Sequence, residues 1–184
     1  MKRLAVFLFA VAFASPALSQ EWVRLDDVDL TTPTASNADL RRIWAAEIAR
    51  NDRFFVEVVK SPPAPGRSAP AFAASRRIVT PDGDLIVSSL LTGAGCDTGA
   101  NDAESGATFA RCPVRTAFRS VGVKDFLVLE TRMGCYIEVD SDERDPKKRE
   151  RTGVFAIRRG ETVEVAAADG GKRLQQCDLV MKGR

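Results

Sequence analysis

Residues 77–91 read RIVTPDGDLIVSSLL, two β-branched and apolar runs on either side of Pro81-Asp82-Gly83. Proline presets the φ of a type I turn, aspartate closes it locally, and glycine takes the left-handed position, so the stretch predicts a β-hairpin. A three-residue loop would set Val79 opposite Leu85 and Ile78 opposite Ile86. Similar short runs recur on both sides. Phe54–Val59 (FFVEVV) reads as a strand before the hairpin, and Asp125–Thr131, Cys135–Asp140, Gly153–Arg158, Thr162–Ala167 and Leu174–Met181 read as strands after it. Phe126–Leu129 (FLVL) is apolar on both faces and is expected in the middle of a sheet. Without a βαβ rhythm, this series predicts a mainly β fold, an antiparallel barrel or sandwich.

One segment departs from the two-residue period. Ser36 or Asn37 suits the N-cap of a helix reaching about Arg50, with Leu40, Ile43, Trp44 and Ile48 on one face. This is the one N-terminal amphipathic helix expected, and its stripe reads as a core face. Glu21–Leu30 precedes it as an extended arm or first strand with Trp22 as anchor. Ser61–Pro70 (SPPAPGRSAP) holds four prolines, which keeps it out of a sheet interior and makes it a stiff surface connection.

The N-terminus has the three parts of a secretory leader. Lys2 and Arg3 are followed by the apolar run Leu4–Ala14, the breaker Ser15-Pro16, and small residues at Ala17 and Ser19. Residues 1–19 are therefore read as a signal peptide and 20–184 as a single disulfide-stapled β-rich domain. The apolar run is short for a membrane span, and no later segment approaches that length. Arginine outnumbers lysine 20 to 7 and alanine is abundant, which suggests a GC-rich bacterial source and a periplasmic or secreted product.

Charge and composition exclude several classes. The whole chain has 27 Lys+Arg and 25 Asp+Glu, so removing Lys2 and Arg3 leaves 25 of each. A neutral mature chain lacks the surplus that drives counterion-release binding to nucleic acid or anionic lipid. There is no histidine, which removes Ser-His-Asp and Cys-His nucleophiles, His-bearing zinc sites and imidazole pH switches. Walker A, G-x-G-x-x-G and S-x-x-K motifs are absent, and no cofactor is implied.

The four cysteines predict two disulfides in an oxidising compartment. Cys135, Ile137 and Val139 alternate onto one strand face, as do Cys177, Leu179 and Met181, which favours Cys135–Cys177 as a buried bridge. Cys96–Cys112 is then left to close a Gly- and Asp-rich loop. Chain entropy assigns about 3 kcal/mol to the shorter loop and about 4 to the longer.

Three constellations carry possible chemistry. Asp97-Thr98-Gly99 matches the triplet of aspartyl hydrolases, and a homodimer would be needed to supply a second carboxylate. The same residues are turn formers in a disulfide loop. Asp97, Asn101, Asp102 and Glu104 are hard oxygen donors, without the EF-hand register, for a possible cation. Arg111, Arg115 and Arg119 recur every four residues, aligned either to grip an anion or to pair with acids on neighbouring strands. Asp140–Arg151 (DSDERDPKKRER) holds five charges of each sign and no aromatic residue, as befits a solvated loop. The reading that follows is a non-enzymatic periplasmic or secreted binding module, presenting loops 93–111 and 140–152 to a protein or envelope component. An aspartyl-type hydrolase using Asp97 and a structural envelope protein without a specific ligand are the alternatives.

Overall fold

The computed structural model describes residues 21–101, 107–138 and 143–184, with 98–101 described by backbone alone. The leader expected at 1–19 lies outside the described residues. In chain order the elements are β1 (Val23–Arg24), β2 (Asp26–Asp29), α1 (Ala38–Ile43), α2 (Ala45–Phe54), β3 (Ala71–Thr80), β4 (Gly83–Thr92), β5 (Asp97–Asn101), β6 (Thr108–Ser120), β7 (Leu127–Tyr136), α3 (Pro146–Glu150), β8 (Gly153–Arg159), β9 (Thr162–Asp169) and β10 (Lys172–Lys182).

The strands form two antiparallel sheets. One has four strands in the order β1-β8-β9-β10; the other has six, β2-β3-β4-β6 with β5 and β7 also on β6. Their inner faces meet over Leu25, Leu85, Val87, Val114 and Phe118 from the larger sheet side and Val154, Ala156, Val163, Val165 and Met181 from the smaller. The chain passes from one sheet to the other at Leu25, whose amide donates to the Val154 carbonyl at 2.8 Å. On the opposite side, β7 and β10 are tied by the Cys135–Cys177 bridge, by Arg132 donating to the Val180 carbonyl at 3.0 Å, and by the Lys182 amide donating to Glu130 at 2.7 Å. No backbone ladder joins β7 to β10, so the sheets do not close into a barrel.

The outer face of the six-stranded sheet is covered by α1 and α2. Leu30, Leu40, Ile43, Trp44 and Ile48 pack there on Ala71, Ala73, Ile86, Leu90 and Ala117. The expected single helix over 37–50 is two helices, broken at Trp44, where the backbone leaves helical geometry (φ −105°, ψ 15°). Trp44 is fully buried and its indole N–H donates to Ser88 Oγ at 3.0 Å. Its seating against the sheet accompanies the break.

Four other expectations are corrected. Phe54–Val59 is not a strand: α2 runs to Phe54, Phe55–Val59 is a π-helical turn, and Lys60 closes it at φ 61°. A short apolar run is ambiguous in periodicity, and here the preceding helix propagates through it. In the hairpin, Ile78 faces Leu85 and Val79 faces Asp84, one residue from the expected register. Gly83 is the cause. It pairs with both Thr80 and Ser120, and a Cβ there would strike the Arg119 carbonyl, so glycine enters the ladder and the loop shrinks to Pro81-Asp82. The expected strands Asp125–Thr131 and Cys135–Asp140 are largely one strand, β7, and FLVL is not central: β7 pairs only with β6, and Leu127 is 69% exposed. The central strand is β6, concealed in the sequence by Pro113. That proline falls between the last pair with β4 (Val114↔Ser89) and the first with β5 (Arg111↔Asp97), where no ladder donor is lost on that side.

Candidate ligand groove on the four-stranded sheet

Strand alternation decides what the smaller sheet shows to solvent. Val154, Ala156, Val163 and Val165 point into the core, so Phe155, Ala166 and Ala168 point outward. Register then gathers them. Phe155 faces Ala166 and Arg24, while Ala168 faces Gly153 and Arg173. Alanine and glycine beside two large aromatic rings leave a depression of about 220 Å³, lined by Trp22, Phe155, Ala166 and Ala168 and flanked by Arg151 and Arg173. That is smaller than a typical ligand pocket of roughly 300–1,000 Å³ and suits one side chain or a short acyl group.

Two arginines frame this floor differently. The Arg173 guanidinium lies 4.6 Å from the Trp22 ring centroid and donates to Asp178 at 2.8 Å. Arg151 donates to the Lys147 carbonyl at 3.1 Å and has no acidic partner among the described residues. Its stem crosses the β9–β10 turn, where a Cβ on Gly171 would approach Arg151 Cδ to 3.3 Å. Gly171 has φ 92°, so glycine serves both the turn and the arginine. An apolar floor with a guanidinium at its margin that meets no carboxylate among the described residues is chemically suited to an apolar group carrying a carboxylate.

The arginines singled out in the sequence lie on the other sheet. Arg115 donates to Glu47 at 2.6 Å and stacks 4.0 Å from the Trp44 ring. Arg119 donates to Asp84 at 2.6 Å and lies 4.4 Å from the Phe126 ring. Arg115 thus clamps α2 to the sheet, and Arg119 also reaches Asp39 of α1 at 3.5 Å, while Arg111 is exposed beside the start of β5. The three do not form one anion grip: two are committed to acids.

Asp97 opens β5 opposite Arg111 and is exposed. Thr98, Gly99 and Asn101 continue that strand, with their side chains outside the description; Asp102 and Glu104 lie outside the described residues altogether. Among the described residues, no group of three or more acidic or sulfur side chains is gathered for a metal ion. Cys96–Cys112 fastens the base of the β5–β6 hairpin, with Cα atoms 4.4 Å apart. Cys135–Cys177 lies in a separate buried cluster with Phe109, Ile137, Ala167 and Leu174. Both bridges have the expected partners: Cys135–Cys177, which alternation favours, and Cys96–Cys112, the pair that remains. In the charged 140–151 segment, Lys148 donates to Glu143 and the Asp145 amide does likewise, holding that carboxyl below its ordinary range. Residues 140–142 lie outside the described residues.

The groove itself was missed from sequence. Its signal is the run Ala166-Ala167-Ala168 facing Phe155, visible only after the β8–β9 register is known. No family model, curated protein or solved structure matches the chain.

Proposed function

We propose that residues 20–184 form a non-catalytic binding module of the bacterial periplasm or secreted space, and that its ligand presents an apolar group bearing a carboxylate to the groove on the four-stranded sheet. The observation that carries this reading is the apolar floor between Trp22 and Phe155, which no described element covers, with Arg151 at its margin lacking an acidic partner among the described residues. Two disulfides fit an oxidising compartment, and no described helix is long and apolar enough to cross a membrane. The binding surface is therefore assigned to a sheet face and not primarily to loops 93–111 and 140–152, although Arg151 comes from the second of these.

The chain has two tryptophans, and only Trp22 is open to solvent, so fluorescence separates the groove from the core. Titration with octanoate is expected to perturb Trp22 saturably, whereas octanol does so weakly. Ala166→Leu fills the floor and abolishes the response; Arg151→Gln weakens it by about tenfold through loss of a charge-assisted bond. A response indifferent to both substitutions would refute the assignment.

A further inference from the structure

The six-stranded sheet leaves part of one edge without a partner strand. β2 runs beside β3 only as far as Asp26↔Ser75, because the chain crosses to the other sheet at Leu25. From Arg76 to Thr80, no described strand lies on that side of β3. The hairpin decides which backbone groups this leaves open. Its two-residue loop makes Thr80 and Gly83 the closing hydrogen-bonded pair, so Ile78 and Arg76 also bond to β4. Arg77 and Val79 then turn their N–H and C=O groups away from β4, into the lane that β2 vacates. The same parity holds at the other end of β3, where the Ala71 carbonyl accepts from the Leu30 amide at 2.8 Å. A strand edge with such donors and acceptors is a template for another chain.

Beside this edge the two sheets part over a cleft of about 340 Å³, which shares no lining residue with the groove of Trp22 and Phe155. Alternation settles which side chains face into it. Val23 pairs with Ala156 and Arg158 with Val163, and both partners are core residues, so Val23 and Arg158 lie on the inner face. Arg76 and Ile78 share the inner face of β3 with Ala74, and Ile78 packs against the core. Val23, Ile78 and Ala156 thus give an apolar floor. Arg76 engages Asp26 at 3.3 Å, whereas Arg158 donates to the Gly160 carbonyl at 3.0 Å and meets no carboxylate among the described residues. Arg77 points to the opposite face and binds Asp39 at 2.6 Å. Glu21 is the acid set against Arg76, Arg77 and Arg158 in this lining, so the cleft is positive.

We propose that the edge Arg76–Thr80 takes up an extended peptide of another polypeptide as an added strand, with an apolar and an acidic residue two positions apart facing the cleft. The backbone supplies the affinity: the peptide's main chain continues the β2 ladder by bonding to the N–H and C=O groups of Arg77 and Val79. The cleft supplies the selectivity. Residues i and i+2 of a strand point the same way, so one side chain lies on Val23, Ile78 and Ala156 while the next inward one meets Arg158.

Amide hydrogen exchange of the 15N-labelled chain reads this edge directly. The probe is acetyl-TVTET-amide, whose valine and glutamate share one face. At saturation it is expected to slow exchange at Arg77 and Val79 by about tenfold or more. The analogue acetyl-TVTKT-amide should bind about tenfold more weakly, as should the probe to Arg158→Gln. A probe N-methylated at its second and third threonines loses the donors that meet the edge and should not bind saturably. Val79→Pro removes an edge donor without touching the β4 ladder and should abolish uptake, with urea denaturation confirming its fold; the N-methylated probe tests the same bonds on the unaltered chain. The proposal is overturned if exchange at Arg77 and Val79 does not change, or if the N-methylated or lysine peptide binds as well as the probe. Concentration-dependent protection of these amides without peptide would assign the edge to a second copy of the chain and overturn it too.

Discussion

The protein uses an arginine over a tryptophan on the outer side of each of its sheets, with opposite consequences. On the six-stranded sheet, Arg115 stacks on Trp44 and binds Glu47, and α1 and α2 seal the assembly. On the four-stranded sheet, Arg173 stacks on Trp22 and binds Asp178, but no described element covers them. The difference lies in what the strands offer. Ile86, Leu90, Ala71 and Ala117 give the helices an apolar bed, whereas Phe155, Ala166 and Ala168 give a shallow floor between arginines. The same pair of side chains thus acts as a clamp in one place and as the wall of an open groove in the other.

The largest expected contrast is between the tryptophans. Trp44→Ala should cost about 3–5 kcal/mol, because it removes a fully buried ring and leaves a cavity under the helices. Trp22→Ala should cost no more than about 1 kcal/mol, as expected of a half-buried ring at the edge. Urea denaturation of both variants measures the gap, and equal losses would break the comparison. The ion pairs come next. Arg115 and Glu47 are 11% and 18% exposed, so Glu47→Gln should lose about 1–3 kcal/mol. Asp178→Asn, in a pair that is 46% and 36% exposed, should stay within about 0.5 kcal/mol.

Tyr136 supplies a smaller, pH-dependent contrast between core and surface. Its folded pKa is raised, chiefly by burial and further by Asp27 and Glu138, with Arg24 opposing. A neutral acid of this kind contributes stability that is fully present below the unfolded pKa near about 10 and is lost as pH rises toward the folded value. Alkaline absorbance titration should therefore show tyrosinate appearing with unfolding, not before it. Tyr136→Phe should be nearly neutral at pH 7, since the hydroxyl it deletes makes no bond among the described residues.

How much of this was readable from the chain depends on the range of the cause. Local chemistry was readable. Leu40, Ile43, Trp44 and Ile48 are the buried stripe, and alternation around Cys135 and Cys177 anticipates the bridge between sheets. Pairing was less so. Gly83 looks like a loop residue until Arg119 is seen beside it, and FLVL looks central until β7 proves to be an edge. Pro113 conceals the longest strand because a gap between two neighbours is invisible in one sequence. The candidate sites were hidden for the same reason. Ala166 and Phe155 are unremarkable alone and acquire meaning only through register across distant segments.

Amide shift mapping of the 15N-labelled chain with octanoate tests the account's central claim most directly. Perturbations are expected to concentrate at Trp22, Arg151–Phe155 and Ala166–Arg173, and to spare the Leu40–Ile48 layer around Trp44. No saturable perturbation of the first set, or equal perturbation of both, would contradict a binding role for the outer face of the four-stranded sheet.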